Sequence, residues 1–73
     1  MGKQFTIVFY ECEHNGDLDT YAEDIMSCGA RVDAKTLNYE SEMGIVEAHT
    51  PNIKEFEARF KQTDSYQFSS WNN

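Results

Sequence analysis

KQFTIVFYEC, residues 3–12, is the longest apolar run in the chain and carries β-branched and aromatic side chains at both alternating parities. In a strand, Phe5, Ile7 and Phe9 point to one side and Thr6, Val8 and Tyr10 to the other. Apolar groups on both sides predict a central, buried strand. The pattern breaks over residues 11–19, ECEHNGDLD, where Asn15-Gly16 is a turn signal and Asp17 is the expected N-cap of a helix.

Working outward, Leu18, Tyr21, Ala22, Ile25, Met26 and Cys28 recur at helical spacing, with Asp19, Thr20, Glu23, Asp24 and Ser27 opposite them. Gly29 then offers a left-handed C-cap. Residues 31–41 alternate imperfectly: Val32 and Ala34 share one parity and Leu37 and Tyr39 the other, which predicts a strand with a bulge. Glu42-Met43-Gly44 reads as a hairpin connection with glycine at a positive φ, and residues 45–49 as the returning strand. Thr50 is the expected N-cap of a second helix with Pro51 at its first position, Ile53, Phe56 and Phe60 as its buried stripe, and an end near Thr63. Glu55 with Arg59 and Glu57 with Lys61 are spaced for ion pairs along that helix. Residues 66–71 predict a last strand.

The order strand, helix, strand, strand, helix, strand predicts one α+β domain spanning residues 1–73. It resembles the ferredoxin-like split βαββαβ fold, a four-stranded antiparallel sheet with two helices on one face and the first and third strands central. The acylphosphatase family shares that architecture, but no glycine-rich, arginine-bearing anion loop follows the first strand here. Fold resemblance alone implies no activity.

Composition narrows the function. A hydrophobic share of 40% with 14% aromatics argues for a folded chain, while 73 residues leave little core in which to carve a cavity. Thirteen acids against six bases give a net charge of −7, which disfavours direct nucleic-acid binding, because each phosphate contact needs a cation. No apolar segment approaches the roughly 18 residues needed to span a bilayer, and no leader-like start is present, so a cytoplasmic protein is expected. The helix predicted between Cys12 and Cys28 is about 18 Å long at the standard rise, against a Cα limit of roughly 7 Å for a disulfide. Two free thiols follow.

Several constellations fall short of a chemistry. Cys12, His14, Asp17 and Asp19 are near one another but lack metal-site spacing, and Thr20 stands where a calcium loop starting at Asn15 wants glycine. No metal or other cofactor is expected. Cys12 with His14, or Cys28 with His49, are the conceivable nucleophile pairs, and acidic neighbours oppose thiolate formation at the first. No catalytic residue is assigned, and a non-enzymatic protein is expected. RNA-recognition domains stack bases on aromatics of the first and third strands, but the third strand here, IVEAH, has none.

What stands out is charge. Residues 1–30 hold six acids, Glu11, Glu13, Asp17, Asp19, Glu23 and Asp24, against the single base Lys3, whereas residues 31–73 hold seven acids against five bases. Asp17 and Asp19 suit a helix N-terminus, but Asp19 and Glu23 are like charges one turn apart with no base on their own helix. Those six acids are the candidate surface for a partner protein with a basic, nucleic-acid-binding face. In size, charge and lack of catalytic motifs the chain is similar in character to virus-encoded inhibitors of host defence nucleases, the anti-restriction and anti-CRISPR proteins, which implies inhibition inside a host cell. The alternative is a dimeric, small-molecule-sensing regulatory domain of the ACT type. Val8, Tyr10, Tyr39 and Trp71 are the candidate contacts on the open sheet face, where an apolar surface predicts a homodimer or other protein partner and no membrane.

Overall fold

β1 (Lys3–Tyr10) lies second from one edge of a four-stranded antiparallel sheet of order β2-β3-β1-β4, where β2 is Arg31–Asn38, β3 is Met43–Thr50 and β4 is Ser69–Trp71. The helices are α1 (Asn15–Ser27) and α2 (Ile53–Phe60), and a 3-10 helix (Asp64–Phe68) precedes β4. The computed structural model describes residues 2–10 and 15–71. This is the ferredoxin-like arrangement, with β1 and β3 central.

Alternation along β1 decides which face is covered. Phe5, Ile7 and Phe9 are buried against Leu18 and Ile25 of α1 and Phe56 and Phe60 of α2, so both helices lie on one side. The rings interlock: Phe9 stacks on Tyr21 at 4.3 Å between centroids, and Phe5 lies 4.8 Å from Phe56. Such pairs add about 0.5–1.5 kcal/mol each beyond the area they bury. On α1 the buried stripe is Leu18, Ala22 and Ile25, one residue per turn, continued by Cys28 just past the helix end, while Met26 is half exposed and lies off the stripe. Gly29 ends the helix at φ +97 as its sequence position predicts, a backbone conformation glycine adopts without Cβ strain.

The element ends differ from expectation for identifiable reasons. Asp17 stands inside the first turn of α1, which begins at Asn15, and is not its N-cap. Thr50 is the last residue of β3, paired with Lys3, and its buried hydroxyl donates to the Gly29 carbonyl at 3.1 Å. That tie commits Thr50 to the sheet, and the capping falls to Asn52, whose side-chain oxygen accepts from the Glu55 N–H at 3.1 Å. Pro51 therefore precedes α2. The hairpin turn is residues 39–42, held by the Asn38 carboxamide accepting the Glu40 N–H at 3.1 Å. Glu42 takes the positive φ of 50, and Met43 and Gly44 already belong to β3. The irregularity of β2 is a register shift between Val32 and Ala34.

The last segment is the largest correction. Residues 66–68 form 3-10 helix, leaving only three residues of strand. Trp71 pairs with Ile7 and so faces the core, 5.3 Å from Phe5 and edge-on to Phe56 at 5.6 Å. Strand parity counted from Tyr66 failed because the 3-10 turn intervenes.

Replacing Phe9 by Ala should cost about 3–5 kcal/mol, most of the stability of a domain this small. Met26→Ala should change it by no more than about 0.5 kcal/mol. Urea unfolding of both variants checks the assignment of the stripe.

Candidate interaction surface

Four of the bases are tied to carboxylates of the chain itself. Arg31 pairs with Asp33 at 2.9 Å, Arg59 with Glu55 at 2.9 Å and Lys61 with Glu57 at 3.0 Å, while Lys35 of β2 pairs with Asp19. The Glu57 bond holds the Lys61 ammonium above its ordinary pKa. All these pairs are solvated and screened, so they add little to stability. Their effect is to locate the carboxylates left over: among the described residues Glu23, Asp24, Glu40, Glu42, Glu47 and Asp64 enter no salt bridge.

The six acids singled out in the sequence therefore have different fates. Asp19 is exposed but offset by Lys35, which the register of β2 turns to the helix side beside α1. Asp24 is half-buried and accepts a hydrogen bond from the hydroxyl of Ser65, itself only 2% exposed. This bond fastens the 3-10 helix to α1, so Asp24 is a structural carboxylate as well as a surface one. Glu23 is exposed. Glu11 and Glu13, with Cys12 and His14, lie outside the described residues, and the backbone of Asp17 lies in the first turn of α1.

Two acids the sequence reading passed over join the surface. Met43 is paired with both Tyr10 and Asn38, so the turn bearing Glu40 and Glu42 stands at the end of the sheet where β1 finishes. α1 starts at that same end: Leu18 and Asp19 share a groove of about 290 Å³ with Leu37 and Tyr39, the latter 77% exposed. Tyr39 thus edges a groove on the helix side. Acidic residues within a predicted hairpin turn were the available signal, masked by placing that turn at residues 42–44.

The thiol chemistry considered for Cys28 and His49 is not assembled. Cys28 is a free thiol in the core beside Phe5 and Ile25, whereas His49 alternates with buried Ala48 and Thr50 and faces the uncovered side of the sheet. Burial pushes the Cys28 thiol up from 9.0; Asp24 adds to this, and a hydrogen bond with Ser27 works against it. No group of three or more metal-ligating side chains occurs among the described residues, and no helix there is long and apolar enough to cross a membrane. On the uncovered face lie Val8, partly buried, and Tyr10, exposed. No protein-family model, no curated protein and no solved structure matches the chain.

Two outcomes follow. Ser65→Ala, which leaves the Asp24 carboxylate without its buried donor, should destabilise the fold by about 1–3 kcal/mol, whereas Glu23→Ala should fall within about 0.5 kcal/mol of wild type; denaturant titration reads both. For Cys28, the folded chain keeps a proton that the unfolded chain loses, so the thiol's contribution is complete below its unfolded pKa and is lost as pH rises above about 9. The gap in unfolding midpoint between wild type and Cys28→Ala should accordingly narrow from pH 8 to pH 10.

Proposed function

We propose that the chain is a non-enzymatic interaction module whose acidic end docks a basic, nucleic-acid-binding surface of another protein and inhibits it by occupying the place of nucleic acid. The observation that carries this reading is the convergence of Glu40 and Glu42 with the start of α1 at one end of the sheet, in a chain whose net charge is −7. Lys35 is the base found there, and it is already paired with Asp19. Carboxylates with no internal cation are free to pair with arginine or lysine of a partner, and such complementarity steers encounter and selects among partners. Glu23, exposed further along α1, extends the surface. The cytoplasm of a host cell, where such enzymes work, is the compartment this reading implies.

An inert buried thiol fits the same reading. The raised pKa of Cys28 opposes thiolate chemistry, and its distance across the sheet from His49 removes the obvious base. The protein would act by shape and charge, like the anti-restriction and anti-CRISPR inhibitors it resembles in size and charge.

Capture from a native lysate on immobilised wild-type protein beside Glu23→Lys/Glu40→Lys/Glu42→Lys tests this. These three side chains enter no salt bridge among the described residues, so the variant should melt as wild type does. The expected result is a basic protein retained by wild type, lost from the variant and released as salt rises, whose nucleic-acid binding free wild type displaces. Equal retention on both baits would refute the proposal.

A further inference from the structure

The two edges of the sheet are not alike. β4 is an edge of only three residues, and so short an edge resists pairing with another chain, whereas β2 runs for eight. Its register with β3 shifts between Val32 and Ala34 and is regular from Ala34 to Asn38. In an antiparallel pair alternate residues turn N–H and C=O away from the partner strand, and among the described residues no strand pairs with β2 on that outer side. Lysine commonly guards such an edge, but Lys35 is drawn to Asp19 of α1. Hollows flank the regular stretch on both faces. On the helix side is the groove of about 290 Å³ that runs from Leu18 and Asp19 to Leu37 and Tyr39, and on the uncovered side is one of about 200 Å³ over Ala34, Ile45 and Glu47. Lys35 and Thr36 line both, so the two hollows lie on either side of one point of the edge.

We propose that the outer edge of β2 takes an added strand, an extended segment of the basic partner in which cationic and aliphatic side chains alternate. The segment belongs to the docking partner already proposed, and its identity rests on that reading. Successive side chains of a strand point to opposite faces, so one enters the groove and the next enters the hollow. The outward N–H and C=O groups between Ala34 and Asn38 pair with its backbone. In strand addition the main-chain bonds give affinity, and pockets for alternate side chains give specificity.

Charge selects a basic segment. Lys35 is the one base among the residues lining the two hollows, and it is paired with Asp19. That leaves Glu47 and, in the turn that directly follows β2, Glu40 and Glu42. The groove suits the cation, because the exposed ring of Tyr39 edges it and the face of an aromatic ring attracts ammonium and guanidinium groups. The hollow suits the aliphatic neighbour, with Ala34 and Ile45 in its lining. A second copy of the chain would bring a net charge of −7 to an edge that is already acidic, and like charges oppose that approach.

Amide hydrogen exchange of the whole chain, read by NMR with a short peptide of alternating lysine and valine, tests this. Alternate amides between Ala34 and Asn38 should exchange freely in the protein alone and become protected when the peptide is added. The same peptide N-methylated throughout keeps its charge and alternation but has no backbone donors, and should give no protection. Ala34→Phe, which fills the hollow from an exposed position, should melt as wild type does and bind the peptide more weakly. Equal binding of both peptides, with shifts confined to Glu40, Glu42 and α1, would overturn the added strand and leave docking by charge standing. Failure of the unmodified peptide to bind, undiminished binding by Ala34→Phe, or protection of these amides before any peptide is present, as a second copy on the edge would give, would each overturn it as well. Protection by the peptide alongside equal retention of lysate proteins on the wild-type and lysine-substituted baits would instead refute the docking function alone.

Discussion

Burial of Phe5, Ile7 and Phe9 on one side of a central strand is the constraint from which the other features follow. Three large side chains at alternate positions need a cover, and a chain of 73 residues can supply only one layer of helices. Both helices are therefore drawn to the same face. Trp71 completes the cover from the other edge, its ring edge-on to Phe56 and Phe60. Among the described residues no helix covers the opposite face, which bears Val8 and Ile45.

A core this small leaves the surface to carry whatever specificity the protein has. The carboxylates are arranged by two kinds of interaction. Pairs within α2, Glu55 with Arg59 and Glu57 with Lys61, cancel locally at one-turn spacing. Contacts between elements, Lys35 reaching Asp19 and Ser65 reaching Asp24, hold two acids of α1 in the fold, while Glu23 is left outward. The hairpin turn contributes Glu40 and Glu42 at the end where α1 begins, which turns a diffuse negative charge into a directional one.

Much of the fold was legible because its signals are local. The order of elements, the centrality of β1 and β3, the stripe through Leu18, Ala22 and Ile25, the glycine cap and the bulge in β2 each follow from periodicity or backbone chemistry within a dozen residues. The misplacements share a cause. Thr50 has the chemistry of an N-cap but is claimed by the carbonyl of Gly29, and Trp71 changes face because a 3-10 helix resets the alternation before it. Of the candidate surface, Asp19, Glu23 and Asp24 were visible as a charge imbalance, but their different roles were not, since Lys35 and Ser65 are remote along the chain.

By itself, then, the sequence determined the fold class, most of the buried stripe of each helix and the excess of negative charge, because these depend on spacing and composition. Tertiary structure alone decided which carboxylates are spent inside the molecule, which end they gather at, and where the last aromatic residue packs. Those outcomes depend on distances between residues far apart in the chain, set only when β1 is covered and the strands take their register.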